Sequence, residues 1–176
     1  KLIYLDNAAT TPLDPAVTAA MQPFWQDVFG NPSALYREGR RALDAITTAR
    51  KTIAEITGSR SEEILFTAGG TESINLAIFG IVRHYLKSNR SASAGSSGVT
   101  RPHLITTTIE HHAVLHAYQA LEKEGCSVTY LEVNADGIIN LKDIEAAIKP
   151  ETLLVSVMYA NNEIGTIEPI IEIGKT

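Results

Sequence analysis

A chain of 176 residues with 44% apolar and 20% charged content has the make-up of an ordinary soluble globular protein, either one domain or a large piece of a bigger one. Its 15 basic and 20 acidic residues leave a formal charge of -5 with no block of either sign, which argues against nucleic acid or an anionic membrane as the main partner. The single cysteine, Cys126, excludes an internal disulfide and a cysteine-cluster metal site, and no apolar stretch reaches the roughly 18 residues that a membrane span needs.

Residues 2–12 read as a short extended segment and a turn closed by Thr11-Pro12. Within it, Asp6-Asn7-Ala8-Ala9-Thr10-Thr11 sets small residues between polar ones, a pattern suited to lining a confined pocket. Asp14 then caps a helix with Pro15 at its first position, and Val17, Ala20, Met21, Phe24 and Trp25 keep helical spacing to about Val28. Phe29-Gly30-Asn31-Pro32-Ser33 breaks that pattern. A long helix follows to about Thr57, with Leu43, Ile46, Ala49, Ile53 and Ile56 as its apolar stripe and Gly58 as its stop.

From Glu63 the character changes. Ile64-Leu65-Phe66-Thr67 is a short buried-strand candidate, and Glu72 to about Lys87 a helix. Residues Ser88 to Thr100 are too polar and small-sided to pack, and read as a flexible surface insertion within one domain. Strand 103–108, helix 112–124, strand 127–133, helix 141–148, strand 152–158 and a helix start at Pro169 complete the pattern. This alternation predicts an α/β three-layer sandwich, with a mostly parallel sheet covered by helices on both faces and right-handed crossovers. The chain stops within the first turns of that last helix, so an incomplete protein, or one half of it, is expected.

Three polar loops follow apolar segments and fall on the carboxyl edge of such a sheet, where doubly wound folds bind ligands. In Thr67-Ala68-Gly69-Gly70-Thr71-Glu72-Ser73, the glycines let backbone amides approach a phosphate, Thr71 can cap the helix and offer a hydroxyl, and the helix end supplies free N–H groups. The rival reading is a plain connection whose glycines satisfy the turn. Neither the lysine of a nucleotide P-loop nor the three glycines of a dinucleotide fingerprint is present. Glu110-His111-His112 supplies an imidazole to stack on a flat cofactor or exchange a proton, against the alternative of a capping or surface histidine. Zinc is not expected there, since that run lacks the i, i+4 histidine pair of a metalloprotease helix and no cysteine joins it. Asn161-Asn162-Glu163 offers two carboxamides to read a carboxylate, a ring hydroxyl or a backbone group; an Asx-rich turn closed by Gly165 is the alternative.

No lysine or cysteine belongs on that edge. Cys126 and Lys149 precede their strands and fall on the opposite one, and a buried, inert Cys126 is expected. A nucleophilic thiol or amine, if the chemistry needs one, must come from elsewhere.

Taken together, these segments resemble the amino-terminal part of a pyridoxal-phosphate-dependent cysteine desulfurase of the iron–sulfur-cluster assembly type, within the fold type I, aminotransferase class V group. The matching stretches are Tyr4 to Pro12, Phe29-Gly30-Asn31-Pro32-Ser33, Phe66 to Ser73, Glu110-His111-His112-Ala113-Val114-Leu115 and Asn161-Asn162-Glu163-Ile164-Gly165, in the family's order. Tyr36 departs from it, standing near where the family often has histidine, and so does the insertion 88–100.

The resemblance implies that Gly70 and Thr71 hold the cofactor phosphate, that His111 stacks on the pyridine ring and assists proton transfer, and that Asn161 lies near the cofactor hydroxyl and substrate carboxylate. It places Ala8, Thr10 and Asn31 on the substrate side. It implies an amino-terminal segment 1–14 near the small domain and active site, followed by a partial cofactor-binding large domain over 15–176. The implied reaction converts L-cysteine to L-alanine, with the sulfur left as a persulfide on an enzyme cysteine for an acceptor or iron–sulfur scaffold protein. A homodimer is implied, as is a carboxyl-terminal half bearing the Schiff-base lysine and the persulfide cysteine, without which this polypeptide is expected to be inactive. The family setting is cytoplasmic, or an organelle matrix after loss of a targeting peptide. Selenocysteine lyase shares the motifs, and a non-catalytic scaffold or regulatory chain of the same fold is the alternative of another class.

Overall fold

Two prolines shape the first helices. Pro15 opens α1 (Pro15–Met21), where Asp14 Oδ1 accepts the Ala16 N–H at 2.7 Å, and Pro23 opens α2 (Pro23–Gln26). The sequence reads one helix to Val28; Pro23, with no N–H to give and a ring that crowds the preceding turn, breaks it in two. The computed structural model describes residues 3–92 and 101–176, in two units, Lys1–Phe66 and Thr67–Thr176.

In the first unit α3 (Arg37–Thr57) ends at Gly58, whose φ of 67° is the left-handed geometry expected of a glycine stop. Gly39 lets the turn at 31–34 lie against this helix, since a Cβ there would stand 2.6 Å from the Asn31 carbonyl oxygen. The buried residues of α3 are Gly39, Ala42 and Ala54, whereas most of the expected stripe is open and Ile56 is 80% exposed. Phe24, Phe29, Ala42, Ile46 and Phe66 line an open apolar hollow of about 470 Å³. Residues 64–67 form no strand, contrary to the reading above, and Leu65 and Phe66 are 70% and 51% exposed. An apolar tetrapeptide becomes a strand only where a neighbour completes its hydrogen bonds, and no described residue does so. Arg50 holds this segment instead: its Nε donates to the Ile64 carbonyl at 3.2 Å and its guanidinium lies 5.2 Å from the centre of the Phe66 ring.

The second unit is built on three parallel strands, β1 (His103–Thr107), β2 (Ser127–Leu131) and β3 (Thr152–Ser156), in the order β2-β1-β3. Among the described residues four helices belong to it: α4 (Gly70–Ala92), α5 (His112–Lys123), α6 (Leu141–Ala147) and α7 (Ile170–Ile173). On one face Ile78 and Val82 of α4 join Val114, Ala117, Tyr118 and Leu121 of α5 against Leu104. On the other, Ile144 of α6 packs with Ile105, Leu131 and Ile139, and Ile173 of α7 joins them. This is the predicted helix–sheet–helix sandwich. The chain moves from β1 out to β2, then back across β1 to β3; keeping one crossover hand while reversing direction requires α5 and α6 to take opposite faces. Burial of one such Leu or Ile side chain contributes about 1.5–3 kcal/mol.

His103, given no role by the sequence, is buried where it ties all three strands. Its Nδ1 and Nε2 each lie 2.8 Å from a threonine hydroxyl, Thr152 of β3 and Thr129 of β2. Burial, followed by the nearby Lys149 charge, pushes its pKa down. Helix α4 starts two residues earlier than expected and continues to Ala92, so Ser88–Ala92 is helical rather than part of a loop. Residues 93–100 of the expected insertion lie outside the described residues.

Candidate active site

All the strands of the second unit point their carboxyl ends one way, and the loops leaving them diverge. The loop after β1 leads to α5 on one face, whereas the loop after β3 leads to α7 on the other. Neighbouring strands whose exits part in this way leave a crevice at their carboxyl ends, the topological switch point of an open α/β sheet. His111 follows the loop from β1 and Asn161 lies in the loop from β3.

Helix α4 begins on the same edge. Arg83 of α4 meets Glu124, just past the end of α5, at 3.7 Å. Ile74 and Ile78, which precede Arg83, pack in the same cluster as Val114, Ala117 and Leu121 of α5, so the two helices run in the same direction. At 1.5 Å per residue, Arg83 lies about 20 Å along α4 and Glu124 about 18 Å along its own helix, which brings their amino ends to the same end of the pair. The first backbone bond of α4 runs from Ser73 N–H to the Gly69 carbonyl at 3.1 Å, so the N–H groups of Gly70, Thr71 and Glu72 have no intrahelical acceptor. Gly69 and Gly70 have no positive φ, and a Cβ added at either would meet no atom within 4 Å, so the turn itself does not demand them. What they provide is bare backbone on an open helix end. Thr71 is exposed and lies inside the first turn rather than capping it. Thr67 Oγ1 and Ser73 Oγ bond each other at 2.6 Å, and Glu72 accepts the Ala68 N–H at 2.6 Å.

His111 is the amino cap of α5. Its Nδ1 accepts the Ala113 N–H at 3.1 Å, which leaves the proton of the neutral ring on Nε2. The capping reading therefore holds, and the ring remains exposed. The i, i+4 spacing absent from 110–112 itself exists between His112 and His116, whose rings stack at 5.6 Å; among the described residues no third His, Cys, Asp or Glu completes a metal-ligand group.

Asn161 is 7% exposed and forms the Asx turn of the alternative reading while also bonding a backbone group of the neighbouring loop. Its Oδ1 accepts the Glu163 and Ile164 N–H groups at 2.8 and 3.1 Å, an Asx turn that Gly165 closes with a φ of 75°. Its Nδ2 donates to the Ile109 carbonyl at 3.0 Å and to the Met158 sulfur at 3.4 Å. The sulfur is a weak acceptor, so that second N–H is the one a ligand oxygen can take.

Sequence reasoning missed the residue that joins these loops. Glu110, only 7% exposed, accepts the Met158 N–H at 2.6 Å and the Thr107 hydroxyl at 3.3 Å through one oxygen. Burial raises its pKa; the bonds from Met158 and Thr107 pull it the other way, and Glu168 adds to the rise. Glu168, 2% exposed, holds the Ile139 N–H at 3.0 Å through one oxygen, while the other has no partner. A charged residue three positions past the end of an apolar strand was the available signal, obscured by the histidines beside it.

The remaining candidates lie in residues 1–66. Ala8 and Thr10 are exposed, and Asn31 Oδ1 accepts the Ser33 N–H at 2.9 Å in an exposed turn. Cys126 is buried in the core on the amino edge of the sheet, where burial raises its thiol pKa, as the inert reading requires.

A profile of the aminotransferase class-V family matches residues 3–176. The chain belongs to that family. Among the class-V relatives, the cysteine desulfurase IscS of Dictyoglomus turgidum is 46% identical over 173 residues, 98% of this chain and 41% of that protein. IscS of Clostridium botulinum strain Hall is 47% identical over 175 residues, 99% of this chain and 41% of that protein. Of solved structures, SspA in complex with cysteine superposes with a TM-score of 0.87 at 42% identity, covering 98% of this chain and 46% of that one. A NifS-like protein gives 0.88 at 34% identity, covering 98% and 44%. The chain thus spans about two fifths of the length of the curated relatives it matches. Among the described residues no helix is long and apolar enough to cross a membrane.

Proposed function

We propose that the full-length protein is a pyridoxal-phosphate-dependent cysteine desulfurase, converting L-cysteine to L-alanine and passing the sulfur to an enzyme cysteine. The observation that carries this reading is the set of unpaired amides at the bare-glycine start of α4, on the same edge as His111 and Asn161. These donors fit a phosphorylated pyridine: neutral N–H groups and a hydroxyl for the phosphate, an exposed imidazole for the ring, and a carboxamide N–H for an oxygen. A helix amino end contributes about 0.3–1 kcal/mol toward an anion, and up to ~2 kcal/mol when partly buried, enough to anchor a phosphate but not to perform chemistry.

The bound cofactor supplies the electron sink that lets the bond from the substrate carbon to sulfur break. Gly70 and Thr71 fix its phosphate. His111 stacks on the ring, and its Nε2 proton is positioned to be exchanged with the substrate. Asn161 Nδ2 serves the cofactor hydroxyl or substrate carboxylate. The substrate-side role of Ala8, Thr10 and Asn31 rests on the family resemblance, and their exposure leaves them available for it. The lysine and the persulfide cysteine belong to the carboxyl-terminal half of the protein. A homodimer, a separate sulfur-acceptor or iron–sulfur scaffold protein and a cytoplasmic setting complete the reading, the last in keeping with a single free cysteine.

The test is direct. The full-length protein, purified with pyridoxal phosphate, is expected to release alanine and sulfide in equal amounts from L-cysteine under reducing conditions. A polypeptide of residues 1–176 is expected to release neither. Absence of cofactor binding, or of alanine, from the full-length protein overturns the assignment.

A further inference from the structure

We propose that Glu110 is a positioning residue of this site: its carboxylate holds the loops after β1 and β3 together and thereby sets His111 and Asn161 at their working separation. The proposal rests on the functional reading above.

The geometry is a closed ring of contacts. From the first loop, Glu110 Oε1 takes the Met158 N–H of the second at 2.6 Å; from the second loop, Asn161 Nδ2 reaches back to the Ile109 carbonyl at 3.0 Å. Residues 109–110 and 158–161 are therefore fastened twice, once by each loop's own side chain. His111 follows Glu110 directly, and Asn161 is three residues from Met158, so neither proposed cofactor contact can shift without disturbing one of these bonds. A third bond, from the Thr107 hydroxyl to the same Glu110 oxygen at 3.3 Å, ties the carboxylate to the end of β1.

A side chain is needed here because the sheet has ended. Strand β3 stops at Ser156, two residues before Met158, so the Met158 N–H lies past the parallel ladder and no strand carbonyl reaches it. An acceptor must come from the neighbouring loop, and it must be long enough to turn inward from the start of α5. Burying a carboxylate for this purpose is unfavourable unless its hydrogen bonds compensate, so an ordinary surface turn has no reason to bear it. Burial raises the Glu110 pKa, in line with a role in which the oxygen matters more than the charge.

That distinction gives the experiment. In the full-length protein, Glu110→Gln keeps an acceptor oxygen at the same reach, Glu110→Asp keeps the charge but is one methylene shorter, and Glu110→Ala removes both. Three readouts are compared with the unsubstituted protein: dissociation of pyridoxal phosphate followed by absorbance, kcat and KM for L-cysteine, and hydrogen exchange of the 157–163 amides. Positioning predicts the order Gln, then Asp, then Ala. Glu110→Gln is expected within about threefold on all three, because a hydrogen bond to a neutral acceptor retains most of the constraint. Glu110→Ala is expected to weaken cofactor binding and kcat/KM by roughly 10- to 100-fold, the range for leaving the Met158 N–H without an acceptor, with Met158 exchange accelerated in step.

If Glu110→Ala folds and leaves Met158 protected with kcat/KM within about twofold, the proposal is overturned. It is equally overturned if Glu110→Asp surpasses Glu110→Gln, since the charge would then be what counts. Should Glu110→Ala fail to fold, the Gln-against-Asp order still decides. If the unsubstituted protein binds no pyridoxal phosphate, the functional reading falls and takes this proposal with it, whereas failure confined to the variants overturns the proposal alone.

Discussion

The two units treat their apolar residues differently. Residues 67–176 bury theirs on both faces of a sheet, with Leu104, Ile105, Tyr118 and Leu121 inaccessible to solvent. Residues 1–66 carry equally clear helical patterns, yet Trp25, Phe29, Leu35 and Ile56 remain exposed, and only small residues of α3 are buried. Patterning alone therefore does not make a core. Strands bring distant segments into register and give helices a surface to cover, and the stripe of α3 finds no such surface within residues 1–66.

The largest effect that sharpens this contrast is in the cores themselves. Leu121→Ala is expected to destabilise the protein by about 2–5 kcal/mol, and Ile56→Ala within the first unit by no more than ~0.5 kcal/mol, read from urea unfolding. If both cost the same, Ile56 has a cover that residues 1–66 do not supply.

Glycines give the next pair. Gly39→Ala forces a Cβ against the Asn31 and Ala34 carbonyls and is expected to cost about 1–3 kcal/mol. Gly70→Ala meets open space at an ordinary φ, so it is expected to leave stability unchanged or raise it by up to ~1 kcal/mol. It is nevertheless expected to weaken pyridoxal phosphate binding on the order of tenfold, ~1.4 kcal/mol, by shielding the helix amides. A Gly70→Ala protein that binds the cofactor normally would remove this residue from the phosphate site.

His103 adds a pH dependence to the second unit. Its folded pKa is depressed by burial, so the unfolded chain binds the proton more readily. Its contribution to stability is fully present above the ordinary imidazole value of about 6.5 and is lost as the pH falls from there toward the folded pKa. Urea midpoints followed from neutral into mildly acidic buffer are expected to drop. His103→Gln is expected to flatten that slope while lowering the midpoint throughout. The smallest expected effect concerns Cys126, whose thiol is expected to resist alkylation until the protein unfolds, because it is buried with a raised pKa.

Particular elements show how much was legible beforehand. The Asp14 cap, the Gly58 stop and the alternation from His103 onward are local signals, and they appear where the sequence puts them. The break at Pro23 was equally local, but the run of apolar spacing across it concealed it. The strand expected at 64–67 failed for a nonlocal reason, since a strand exists only with a partner. In the candidate site the glycines and His111 stood out by chemical type, whereas Glu110 and the backbone-facing side of Asn161 did not, because their partners lie 48 and 52 residues away.

Sequence by itself determined the Asp14 cap, the Gly58 stop, the alternation of strands and helices from His103 onward, and the family, because each depends on residues close together in the chain or on motifs in a set order. Only the tertiary structure decided which faces are covered, that the loops after β1 and β3 lead to helices on opposite faces, and that a buried carboxylate joins those loops. Such contacts depend on how parallel strands align across a sheet, and pairing at that range leaves no periodic trace in either partner.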